Sequence, residues 1–292
     1  LRKLAGDPVR FLPTDPSGKL DPPAAAEAVE AAAESARSGP AGPGFPAPSA
    51  LLILSPVHHE IGTLQPVREI VEAVRKKTPG CLVLFDAVQA ASRLDPASWT
   101  PYCDIFAVSG HKIYAPGGIA VLGKAREFQG RPLRLRPLRF GGGQEGNLFP
   151  GTPNLPGAAA MASAVEILAT TREDETNRLR VLTTEGLDIL TRAGIPFVLE
   201  SPPDAAPGMI NLSFPWAGDM SRFFIDLNRQ LICTSRFSAC TESVEGPSRV
   251  LEALGVSGPR ARSSVRLSFG RFTQREAFFR LADVLTMMYK RS

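Results

Sequence analysis

Long apolar stretches are missing from this 292-residue chain. No run approaches the ~18 residues that a membrane-spanning helix needs, so no membrane partner is expected. Cysteine is scarce: Cys81, Cys103, Cys233 and Cys240 form no Cys-x-x-Cys pair, which speaks against a zinc ribbon or a disulfide-stapled scaffold. Cys81 and Cys103 border apolar runs and read as inert core thiols. Histidine is scarcer still, with three residues. His58-His59-Glu60 invites a metal reading, but adjacent residues hold one ion poorly and no further ligand cluster exists, so no metal is expected. A strong excess of either charge is also lacking, since 33 Lys+Arg stand against 29 Asp+Glu. The single basic cluster, Arg131, Arg134, Arg136 and Arg139, reads as a solvated loop, and no nucleic-acid partner is expected. No secretory signal or Arg/Ser-rich transit segment precedes the first strand signal, and the chain opens at Leu1. The expected setting is a soluble, reducing intracellular compartment, cytoplasmic or mitochondrial, with nothing to choose between them.

What is present is the composition of an ordinary globular enzyme, 43% hydrophobic and 21% charged. Strand and helix signals alternate. "VRFLPTD" (9–15) reads as a strand, and residues 21–39 as an Ala/Glu-rich helix capped by Asp21. A Pro/Gly loop (40–49) precedes the strand "ALLILSPV". The following helix places Val67, Ile70, Val71 and Val74 on one face and stops at Pro79-Gly80. "CLVLFDAVQ", "DIFAVSG" and "GIAVLG" are short, continuous apolar runs, the pattern of strands covered on both faces in a mostly parallel sheet. A long helical stretch, with a break, runs from about Ala158 to Arg192. Further strands "PFVLES", "MINLSF" and "SVRLSFG" follow, with helices near 218–229, near 247–254 and from about Thr273. The expected organisation is a large α/β domain over 1–165 and a smaller α+β domain over 166–292.

Chemistry-bearing residues stand where these strands end. Asp86 closes one apolar run, with Gln89 three residues on; alone, this stretch reads more readily as a helix cap and a surface glutamine. "AVSGHK" ends another run and delivers Ser109, His111 and Lys112 to the same sheet edge, where ligands of open α/β sheets bind. A lysine and an aspartate converging there match pyridoxal phosphate. The amine links to the aldehyde and the carboxylate pairs with the pyridine nitrogen, while Ser109 and His111 offer hydrogen bonds to phosphate. "FGGGQEGNLFPGT" is a glycine-rich loop ending in Gly151-Thr152. Cys240 lies in a small polar loop, "SRFSACTES", and is open to reading as a nucleophile or as a surface thiol. Arg266, in "SSVRLSFGR", is either an edge residue or a carboxylate clamp.

Together, "HHEIGTLQPVREI", "DAVQA", "SGHKIYAPGGIAVL", "GGGQE" with its Gly-Thr, "SACTE" and "SSVRLSFGRFT" resemble the cysteine desulfurases in order and spacing. These are the class V aminotransferase branch of fold-type I pyridoxal-phosphate enzymes. The resemblance implies a large domain whose mostly parallel sheet has helices on both faces, plus the smaller C-terminal α+β domain. It makes Lys112 the cofactor-linked lysine, Asp86 the pyridine-nitrogen partner, and Gln89 a neighbour of the ring hydroxyl. Ser109 and His111 would hold the phosphate, and Thr152 would reach the phosphate of a neighbouring subunit in a homodimer. Arg266 would bind the substrate carboxylate. Cys240 would take sulfur from L-cysteine as a persulfide, leaving alanine, for delivery to a sulfur-acceptor protein.

Three departures accompany the resemblance. The family's N-terminal phosphate-binding loop, and the Glu-His pair whose histidine stacks on the ring, correspond to nothing in this sequence, and weaker phosphate binding is expected in their absence. His58-His59 stands where the family has Asn-Asn, which places His59 at the position contacting the ring hydroxyl. Phe149-Pro150 replaces Arg-Ser. Two other expectations follow: a catalytically degenerate member acting as a binding or scaffold protein, or a sister enzyme such as a selenocysteine lyase or class V transaminase.

Overall fold

The computed structural model describes residues 9–37, 50–235, 246–256 and 258–291. The chain divides into two compact units. One comprises 1–13, 20–56 and 66–171; the other comprises 14–19, 57–65 and 172–292.

In the first unit, helix α1 (Pro22–Arg37) begins where the Asp21 carboxylate accepts the Ala24 N–H at 3.0 Å, the cap expected there. Strand β1 (Ala50–Leu54) leads on to α2 (Val67–Lys77). The Val67, Ile70, Val71 and Val74 stripe of α2 is buried, as its spacing predicts. α1 packs on α2 and on β1. β2 (Cys81–Asp86) and β3 (Ile105–Ser109) extend the sheet in parallel, and β4 (Ala120–Lys124) closes it antiparallel, in the order β1-β2-β3-β4. β4 differs from its expected environment: Val121 and Leu122 are exposed, so its apolar run is not covered on both faces. The small β5–β6 hairpin (Glu127–Phe128, Arg131–Pro132) and the kinked turn α3 (Gln144–Asn147) precede α4 (Leu155–Arg192). The four arginines of the basic stretch are exposed.

Two expectations need correction. Residues 9–15 form no strand. Pro13 and Pro16 remove ladder donors, and the Asp15 carboxylate instead gathers the N–H groups of Ser17 and Lys19 in a turn. The long helix also has no break over its 38 residues. Within its polar stretch Thr170 and Thr171 donate their hydroxyls to the Ile167 carbonyl, at 3.0 and 2.8 Å, without interrupting the helix.

In the second unit, β7 (Val198–Leu199), β8 (Met209–Ser213) and β9 (Ser264–Ser268) form an antiparallel sheet in that order. α5 (Met220–Arg229) and α6 (Arg249–Ala253) lie between β8 and β9 in sequence, as does a short helix absent from the sequence reading, α7 (Gly258–Arg262). α8 (Glu276–Tyr289) ends the chain. Leu190, Leu212, Phe214, Phe223, Leu227 and Leu285 are among the side chains of its core.

Candidate active site

The first unit places one group of candidate residues at a single sheet edge. β2 and β3 run parallel with Asp86 opposite Ala107, so Asp86 and Ser109 stand at the carboxyl ends of adjacent strands. Asp86 is exposed and accepts the Val88 N–H at 3.2 Å, while Gln89 is buried just beyond it. After Ser109 the chain tightens into a 3₁₀ turn, Gly110–Lys112, which carries His111 and Lys112 outward. Gly110 makes this turn possible. Its carbonyl accepts from Ile113 and Ala115, its N–H donates to Ile119, and a Cβ here would lie 2.6 Å from Ile119 Cγ2. Thr152 lies in the exposed segment before α4, and no hydrogen bond among the described residues ties it to this group.

The second unit holds two more. The turn after β1 is closed by Gly62, at φ 75°, whose N–H reaches the His58 carbonyl at 3.0 Å. His58 turns Nδ1 inward to accept from Glu60 N (3.3 Å) and, more loosely, Ile61 N (3.5 Å). Burial, followed by the neighbouring His59, lowers the His58 pKa to about 4. His58 is therefore neutral near pH 7, and its ring stacks on that of His59 with centroids 4.7 Å apart. Arg266, half-buried on β9, donates from Nη1 to the His59 carbonyl at 3.0 Å.

Around that contact lies a polar cluster that the sequence reading passed over. Glu60 is 3% exposed and accepts a hydrogen bond from the Ser248 hydroxyl. Burial pushes its pKa up, against the Ser248 bond and the nearby positive charge of Arg266. Asn211, fully buried and opposite Arg266 in the β8–β9 register, donates to the Glu60 carbonyl at 3.4 Å. Nothing in the polar stretch "HHEIGT" marks the Glu60 carboxylate as buried. Cys240 lies outside the described residues, between Ser235, which is bridged to the Arg266 backbone, and Ser248. Of the other thiols, Cys81 is buried as expected and Cys103 only half-buried; both are pushed up to about 11, chiefly by burial. Among the described residues no group of three or more metal-ligating side chains occurs, and no helix is long and apolar enough to cross a membrane.

Residues 47–281 match the family described as Aminotransferase class-V. The chain is 32% identical over 249 residues to a cysteine desulfurase of Trichormus azollae, covering 83% of this chain and 59% of the relative. It is 34% identical over 240 residues to cysteine desulfurase IscS of Ehrlichia chaffeensis, covering 80% and 56%. The chain thus spans less than two thirds of the length of these curated relatives. Among solved structures, a NifS-like protein superposes with a TM-score of 0.78 at 24% identity, covering 98% of this chain and 69% of that one. That likeness speaks for the fold, the fold-type I architecture with its mostly parallel sheet.

Proposed function

The chain belongs to the aminotransferase class-V family, and from that premise we propose that it serves pyridoxal-phosphate-dependent release of sulfur from L-cysteine. The observation that carries the reading is the delivery of Asp86 and of Ser109–Lys112 to one edge of the sheet by two adjacent parallel strands. The donor set there suits the cofactor: a carboxylate for a pyridinium, an amide for a ring hydroxyl, a hydroxyl and an imidazole for phosphate, and an amine for an aldehyde.

When bound, pyridoxal phosphate supplies an electron sink for carbanion chemistry at an amino acid Cα. The chain's own residues do the rest. Lys112 would hold the cofactor's aldehyde and serve as the base toward the substrate's Cα proton. Asp86 would pair with the pyridine nitrogen, and Gln89 and His59 would each offer a hydrogen bond to the ring hydroxyl. Ser109 and His111 hold the phosphate, joined by Thr152 from a neighbouring subunit of a homodimer. Arg266 takes the substrate carboxylate in a charge-assisted fork. The Cys240 thiolate forms a bond to the substrate sulfur while the Cβ–S bond breaks. The electron pair of that bond stays with carbon, which takes up a proton to become the methyl of alanine. The persulfide on Cys240 is then passed to an acceptor protein.

In this reading residues 1–165 form the cofactor-binding domain and 166–292 the smaller domain. The compartment is a reducing one, cytoplasmic or mitochondrial. The test is alanine formation from L-cysteine with added pyridoxal phosphate. With dithiothreitol present to reduce the Cys240 persulfide, alanine and sulfide are expected in equal amounts. Amino transfer to a keto acid would install the transaminase reading, and absence of any turnover the degenerate one.

A further inference from the structure

Arg266 and Asn211 are partners across the β8–β9 ladder, and each takes one of two consecutive carbonyls. Arg266 Nη1 donates to His59 O, and Asn211 Nδ2 donates to Glu60 O. The peptide joining His59 to Glu60 is thereby pinned to the sheet. A third tie comes from the Glu60 side chain. Its carboxylate, 3% exposed, receives the Ser248 hydroxyl. Ser248 is itself set by its own capping bond, since its Oγ accepts the Leu251 N–H at 3.1 Å at the start of α6. The hydroxyl proton is thus directed at Glu60, and nothing in this arrangement needs solvent.

We infer that Glu60 is a positioning residue for Arg266, fixing the His59 carbonyl and with it the plane in which the guanidinium meets a substrate carboxylate. This rests on the proposed role of Arg266. The guanidinium is planar, with its donors in a rigid fork, so one fixed Nη1 bond constrains the whole plane. The positive charge of Arg266 in turn favours the carboxylate form of Glu60 against its burial. The hydrogen bond to Ser248 needs only an acceptor oxygen, however, and glutamine supplies one.

The test uses the full chain, with and without pyridoxal phosphate, and two probes: 3-mercaptopropionate, which has a carboxylate and no amine, and its neutral amide. Calorimetry gives a Kd for each, and circular dichroism verifies folding. The unaltered protein should prefer the acid. Glu60→Ala should weaken acid binding roughly tenfold, the scale of one misdirected charge-assisted hydrogen bond, and leave amide binding unchanged. Glu60→Gln should stay within about twofold of the unaltered protein. If Glu60→Ala fails to fold, Ser248→Ala removes only the hydroxyl donor, and a rise of roughly threefold for the acid alone is expected. A folded Glu60→Ala that keeps the full preference overturns the inference while leaving the role of Arg266 intact. Equal losses in Glu60→Ala and Glu60→Gln would also overturn it, because charge rather than placement would then be responsible. No preference for the acid in the unaltered protein would remove the carboxylate role of Arg266, and the inference with it.

Discussion

The imidazole of His58 lies stacked on that of His59, with ring centroids 4.7 Å apart and planes 27° from parallel. The neighbouring imidazole of His59 disfavours protonation of His58. For His58 this adds to burial, and the pKa falls from 6.5 to about 4. Between pH 6.5 and 4 the unfolded chain therefore binds more protons at this residue than the folded one. The stabilisation is fully present above pH 6.5 and is lost as pH falls towards 4, by at most about 3 kcal/mol. Glu60 acts in the opposite sense, because its raised pKa lets the folded state hold a proton that the unfolded chain releases. His58→Asn isolates the histidine contribution, since an asparagine oxygen can accept the same backbone N–H groups. Urea midpoints of the two proteins should converge at pH 7.5 and separate on acidification, the unaltered protein losing more. Parallel pH curves would show that His58 does not titrate on unfolding.

Asp104 is the structural counterpart in the first unit. It is buried, takes the Val83 N–H on Oδ2 at 2.7 Å and pairs with Arg75 through Oδ1 at 3.0 Å. Asp104→Ala would leave a buried backbone donor and a partly buried cation without partners, at about 2–4 kcal/mol. Asp104→Asn keeps an acceptor for Val83 and should cost less than half as much. Denaturant titration orders the three proteins; an alanine variant as stable as the parent would mean that water replaces the carboxylate.

Lys112 is testable without turnover. Protein mixed with pyridoxal phosphate and reduced with borohydride should carry the cofactor mass on the peptide containing Lys112. Lys112→Ala should lose that mass, and Gly110→Ala should lose most of it, because an alanine Cβ would meet Ile119 and displace the turn. Labelling on Lys124 or another lysine with equal yield would remove the assignment.

The sheet edge proposed to hold the cofactor is legible in the sequence as a place, because each short apolar run stops at a polar residue. Asp86 and Ser109 mark strand ends before any coordinate is known, and the parallel pairing then brings them together. The Glu60, Ser248, Asn211 and Arg266 cluster is not legible. Its members come from four separate stretches, and cross-strand register and the burial of one carboxylate leave no periodic trace. Residues 9–15 mislead for a related reason. Val9 and Phe11 carry a strand pattern, but the local hydrogen bonds of Asp15 and the flanking prolines decide the backbone. In β4 the apolar run identifies a strand correctly and says nothing about what lies over it.

The last prediction separates sulfur transfer from cofactor binding among the four cysteines. Cys81 and Cys103, with pKa values near 11, should resist alkylation at pH 7.5, whereas exposed Cys233 is open to reagent. Reactivity alone therefore cannot identify the nucleophile, because Cys233 would label whether or not it works. The discriminating comparison is turnover. Cys240→Ala should keep borohydride-fixed cofactor on Lys112 while alanine production from L-cysteine falls to background. Cys233→Ala should retain alanine production within about twofold, as expected of a surface substitution away from the chemistry. Cys240→Ser should be as inactive as Cys240→Ala, because a hydroxyl is almost never ionised near pH 7 whereas a thiol is readily ionised. Full turnover in Cys240→Ala, with loss in Cys233→Ala, would move the nucleophile to the residue seven positions earlier. A Cys240→Ser protein with substantial turnover would rule out thiolate attack by residue 240 and leave cofactor chemistry without persulfide transfer.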